Sequence, residues 1–183
     1  NYLFTGDQAR AISIYDVDVH RSAWKDVIES AQRHNDPGNF TSFIAYEYTS
    51  SSTFSAEGRS LLTPDGTGPF EQGNLHRNVI FSGDKATVEP FTRLKSLNPE
   101  DLWSWMDDLR ERGVDTIAIP HNSNGSNGQM FESETWDGFP MGKSYAKLRM
   151  RNEPLVEITQ VKGTSETHPL LSPNDDWADF EIM

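Results

Sequence analysis

The chain has 183 residues, of which 35% are hydrophobic, 24% charged and 11% aromatic. That is enough apolar chain for one domain with its own core, and too much for a disordered segment. A net charge of −12 with no basic run argues against nucleic acid and anionic membranes as partners, and the absence of cysteine excludes disulfides, thiolate zinc sites and thiol catalysis.

Asp16 and Asp18 in "YDVDVH" alternate as they would along an exposed strand. "RSAWKDVIESAQRHNDPGNF" predicts a helix capped by Ser22, with Trp24, Val27, Ile28 and Ala31 on its apolar face and "NDPG" as its stop. "TSFIAYEY" (Thr41 to Tyr48) predicts a short strand. From Thr49 to Gly73 the chain is rich in Ser, Gly, Thr and Pro and reads as a long loop. "NLHRNVIFSGD" (Asn74 to Asp84) predicts a second strand. "NPEDLWSWMDDLRERG" carries the clearest helix signals: Asn98 as cap, Pro99 in the first turn, Gly113 as terminator, and Leu102, Trp105, Met106 and Leu109 as the buried stripe. "DTIAIP" predicts an apolar strand covered on both faces. "SYAKLRMRN" predicts a weaker helix and "PLVEITQVKG" a fourth strand, before a loop-like tail. Strands alternating with helices predict an α/β fold with a mostly parallel sheet, in which strand ends build the site.

Several polar residues fall near those predicted ends: Glu47 on the first strand, His76 and Arg77 on the second, His121 on the third, and Glu157 and Lys162 on the fourth. Glu47 follows an apolar run, so it is either the first exposed residue or a buried ligand. His76 reads as a core histidine, a surface residue beside Arg77, or a ligand. His121 leaves an apolar strand for the polar loop "HNSNGSNG", which marks it as a site candidate. Asn122, Ser123, Asn124 and Asn127 are ordinary turn residues, and equally groups that can orient His121 or bind substrate oxygens. "QVKGTSE" repeats that pattern, with Lys162 either solvated or paired with an anion. Two imidazoles and a carboxylate suit Zn, Mn or Fe. His20 and His34 read as surface residues, His168 as part of a turn, and Trp136 as loop-borne and able to shape a pocket.

"RSAWKDVIESAQRHNDPGNFTSFIAYEYTS", "NLHRNVIF", "IPHNSNGSNGQMF" and "RNEPLVEITQVKGTSETHPLLSPNDDWADFEI" resemble the middle portion of a bacterial family, domain of unknown function 3604, related to metal-dependent hydrolases of the PHP (polymerase and histidinol phosphatase) type. The resemblance covers nearly the whole chain. It implies part of a distorted TIM-like α/β barrel with metals at strand ends, and matches Glu47, His76 and His121 to metal ligands. The family's opening HxH and closing Asp-x-His are absent: Asp18 in "DVDVH" stands where a first histidine would be. The chain is accordingly expected to be an incomplete piece of a longer protein, residues 1–183 forming one unit with the excursion at 49–73, partnered by flanking segments that carry the missing motifs. The expected function is hydrolysis of a phosphate ester, or of a sulfate or phosphonate ester, by one or two divalent ions. Arg77 and Lys162 are the expected catalytic cations and Asn122 and Asn124 the expected substrate-binding residues. The alternative is a non-catalytic module that binds a carbohydrate or other small polar molecule, or an inactive fragment. The compartment is left open between periplasm, extracellular space and cytoplasm.

Overall fold

The computed structural model describes residues 15–55, 70–86, 89–126, 128–161, 163–166, 170 and 176. The first helix, α1 (Val17–His34), begins earlier than "RSAWKDV" suggests. Asp16, not Ser22, is its cap: the Asp16 carboxylate accepts the N–H groups of Asp18 and Val19 at 3.0 and 3.1 Å. The period-two look of "YDVDVH" is therefore a helix entrance, where an acidic cap satisfies orphan amides and outweighs the strand preference of two valines. Trp24 is the buried anchor of α1, edge-on to Tyr46 at 5.6 Å and beside Phe81 at 5.9 Å.

The strands that follow are β1 (Ala45–Tyr48), β2 (Ser51–Ser55), β3 (Phe70–Asn74) and β4 (Arg77–Phe81). β1 pairs antiparallel with β4, and β2 with β3. Glu47 faces Asn78 and Ser51 faces Asn74, so both ladders share one pairing offset. The Leu75 N–H to Ser50 carbonyl bond of 3.1 Å bridges them. The four strands are thus the arms of one long hairpin with a short break at 49–50 and 75–76. The expected loop from Thr49 to Gly73 is in part these arms; its middle lies outside the described residues.

After β4 the chain returns along the sheet before it forms a helix. Tyr46 donates its hydroxyl to Phe91 O (2.9 Å), Tyr48 to Ser96 O (2.8 Å) and Ser50 to Leu97 O (2.6 Å). α2 (Pro99–Glu111) then runs back, opened by Asn98, whose side chain accepts the Glu100 N–H at 2.8 Å. It delivers the chain to β5 (Thr116–Pro120), which pairs antiparallel with β4. The sheet order is β1-β4-β5.

This corrects the expected fold. Among the described residues every strand pair is antiparallel and no barrel closes; the chain is a mixture of helices and small antiparallel sheets. Helix–strand alternation suggests parallel crossovers, but β1 and β4 are joined by a hairpin, and the return through 89–98 reverses the sense of the α2 connection.

One face of the sheet is the core. Tyr48, Val79, Phe81 and Ala118 pack with Trp24 of α1 and with Leu102, Trp103, Met106 and Leu109 of α2. In β5 burial alternates: Thr116, Ala118 and Pro120 are buried, whereas Ile117 and Ile119 are only partly covered. "DTIAIP" is therefore covered on one face rather than both. α3 (Lys143–Asn152) packs against α2 and β5. The expected strand "PLVEITQVKG" shrinks to β6 (Thr159–Gln160), paired with β7 (Gly163–Thr164). Leu155, Val156 and Ile158 before it are exposed. Most of the tail from 167 lies outside the described residues. Among the described residues no helix is long and apolar enough to cross a membrane.

Candidate metal centre

Glu47 lies near the end of β1, His76 directly precedes β4 and His121 directly follows β5. Because β4 runs opposite to its neighbours, its start lies beside their ends. The register pairs Arg77 with Pro120, and the His121 N–H to His76 carbonyl bond of 3.3 Å extends that ladder by one residue. The two histidines are cross-strand neighbours, with ring centroids 5.8 Å apart and ring planes at 83°. Glu47 sits diagonally across from His76 on the same face.

The contacts are close. His76 Nδ1 donates to Glu47 Oε1 at 2.7 Å, and His121 Nε2 lies 3.9 Å from the same oxygen. The Thr49 hydroxyl donates to that oxygen at 3.1 Å. One donor atom from each of Glu47, His76 and His121 falls within 4.8 Å of the others, so the three form a group that can hold a metal ion. Side-chain exposure grades from 8% at His121 through 21% at His76 to 44% at Glu47, so the group opens to solvent on the carboxylate side. His121 Nδ1 is buried with no hydrogen-bond partner among the described residues. It is the ring nitrogen other than the one near Glu47, and a buried polar atom without a partner costs about 1–3 kcal/mol. The nitrogen–nitrogen–oxygen donor set fits zinc, manganese or iron.

The electrostatics favour lone pairs. Burial lowers the pKa of His76 and the charges of His121 and Arg93 add to this, outweighing Glu47, which pulls it up. A histidine held below its ordinary value is a neutral imidazole at neutral pH, with one ring nitrogen carrying a proton and the other a lone pair.

The other expected residues are placed differently. Arg77 is buried on the opposite, helix-packed face, since neighbours along a strand alternate. Its Nε donates to Glu153 Oε1 at 2.6 Å and it also bonds Leu75 O. Glu153 further accepts Trp103 Nε1 at 2.7 Å and Arg149 Nε at 3.1 Å. Asn122 takes the left-handed turn after His121, with φ 56°, and its Oδ1 accepts Gln160 Nε2 at 2.7 Å. Asn124 is buried, its side chain donating to Thr164 O at 3.1 Å. Both asparagines are thus engaged with the β6–β7 hairpin. Trp136 bonds through its backbone N–H to Glu100 on α2. Lys162, Asn127 and His168 lie outside the described residues.

One residue escaped the sequence reading. Arg93 is half-buried near Tyr48, and its charge reaches His76. No local pattern in "FTRLKS" marks it, because the return segment is irregular. Glu157 sits beside the His121 loop, its N–H donating to Pro120 O at 3.0 Å. The sequence places it, with Lys162, on the expected fourth strand among the polar residues near strand ends, without assigning it a role. A cleft of about 390 Å³ adjoins it, lined by Ser123, Ser126, Phe131, Val156 and Ile158 among others.

Fold and site together define a mixed helix and antiparallel-sheet protein with a candidate metal centre at one end of its three-stranded sheet. The chain belongs to the family described as "Protein of unknown function (DUF3604)", which it matches over residues 4–183. No curated protein and no solved structure matches it.

Proposed function

We propose that the chain carries the active site of a divalent-metal-dependent hydrolase, related to the PHP type, that cleaves a phosphate ester or a related sulfate or phosphonate ester. The observation that carries this reading is the convergence of Glu47 in β1, His76 just before β4 and His121 just after β5, with donor atoms within 4.8 Å. These residues would hold the metal. When bound, it would supply Lewis-acid polarisation of the ester and activation of a water. Glu47, the most exposed of the three, marks the side from which substrate enters. His121 is anchored through its backbone to His76, so the two imidazoles keep their spacing. Arg77 is committed to Glu153; Arg93, whose charge reaches His76, is the described arginine that would offset the charge of an anionic substrate.

The test is metal analysis of the purified protein with and without His121→Ala. Wild-type protein should carry divalent metal and hydrolyse a generic phosphate ester; His121→Ala should lose both, and chelation should abolish hydrolysis. Metal content indifferent to the substitution, or hydrolysis that survives chelation, overturns the reading.

A further inference from the structure

His121 is the only one of the three donors that begins a loop. Its position depends on what holds that loop, and Glu157 is at the centre of the hold. The Glu157 backbone is fixed to the last residue of β5 by the bond to Pro120 O. Its carboxylate accepts the Asn122 N–H at 3.4 Å and Gln160 Nε2 at 2.9 Å, together with the Ser165 hydroxyl. Gln160 in turn holds the Asn122 side chain. The hairpin that supplies Gln160 also fastens the loop further on: Asn124 N–H bonds Ser165 O at 3.0 Å, and the Ser123 hydroxyl bonds the same oxygen. Ser165 N–H closes the circuit on Ile158 O at 2.8 Å.

Asn122 is where this matters. It is the sole non-glycine residue with positive φ among the described residues, a conformation that costs energy unless its surroundings fix it. Its backbone sets the direction in which the chain leaves His121. A carboxylate that accepts its amide, and a glutamine bound to both partners, select that turn. Burial pushes the Glu157 carboxyl up, but the Ser165, Gln160 and Asn122 hydrogen bonds outweigh it and hold the group below its ordinary range. The acceptor is therefore ionised at neutral pH, and its hydrogen bonds are charge-assisted.

We propose that Glu157 is a positioning residue for the metal centre: through Asn122, Gln160 and Ser165 it holds His121 beside Glu47 and His76. This rests on the metal reading above. Partners of this kind around a ligand typically govern metal affinity by about 10- to 100-fold.

The experiment titrates the purified chain with Co²⁺, read by its visible absorption, and with Zn²⁺ by competition, while thermal unfolding is followed separately without metal. Glu157→Ala should weaken both ions by about 10- to 100-fold and alter the Co²⁺ spectrum. Glu157→Gln, which keeps an acceptor oxygen for Asn122, should recover most of the affinity. Gln160→Ala, at an exposed position that spares the fold, should weaken binding in the same direction by a smaller factor. If Glu157→Ala and Gln160→Ala lower unfolding temperature yet leave affinity and spectrum unchanged, the positioning role is overturned and Glu157 is structural only. If Glu157→Gln is as damaging as Glu157→Ala, hydrogen-bonded positioning is likewise overturned, in favour of charge alone. If the wild-type chain binds neither ion, the metal reading itself falls, and this inference with it.

Discussion

Burial and charge pull His76 in opposite directions. Removal from water disfavours its imidazolium and so do His121 and Arg93, while Glu47 favours it; the net effect lowers its pKa. The folded chain then binds fewer protons than the unfolded one between the lowered value and the ordinary His value of about 6.5. Stability from this group is complete above the unfolded value and is lost as pH falls through the folded one. A titration of the His76 ring proton by NMR, without metal, should give a midpoint below about 6.5. A midpoint above it would show that Glu47 outweighs burial. Glu47 and His121 were legible as individuals, because each stood at the edge of an apolar run, and His76 as a polar residue of a predicted strand. Arg93 was not, and Glu157 was legible only as a strand-end residue, because the roles of both come from packing between segments distant in sequence.

Signals that lie within one element were the readable ones. α2 announced itself because cap, first-turn proline and buried stripe are all local, and the structure starts it at Pro99 behind Asn98. Only Trp105 was overplaced: Trp103 is the buried tryptophan, edge-on to Tyr145 at 5.5 Å, and Trp105 is partly buried against Phe91. Strand direction was not readable, since a strand's residues do not state which neighbour it will pair with or in which sense. Nor was the joint that fastens α2 and α3 to β4, formed by Glu153 with Arg77, Arg149 and Trp103. Both members of the Arg77–Glu153 pair are 2% exposed. Glu153→Ala would leave a buried arginine without its counter-ion, and should cost about 3–5 kcal/mol in urea unfolding. A loss under about 1 kcal/mol would mean that water or a shifted side chain replaces the carboxylate.

For the molecule as a whole, an ion bound at the sheet end ties β1, β4 and β5 together only when all three are in place. Binding to the folded chain and not to the unfolded one raises stability by about 2.7 kcal/mol at free metal about a hundred times its Kd. Thermal unfolding should therefore shift upward with Zn²⁺ and return with chelator, whereas His121→Ala should show no such shift. The long hairpin adds an order to this assembly. Its pairing offset is the same on both sides of the break at 49–50 and 75–76, so the arms can close as one zipper. Closure by itself brings Glu47 to His76, two donors at 2.7 Å, while β5 must still come round by way of α2. Local contacts form before distant ones, because shorter loops cost less entropy to close. On the proposed reading the candidate centre is a two-pronged clip awaiting a third prong, and the last histidine to arrive would decide when an ion is caught.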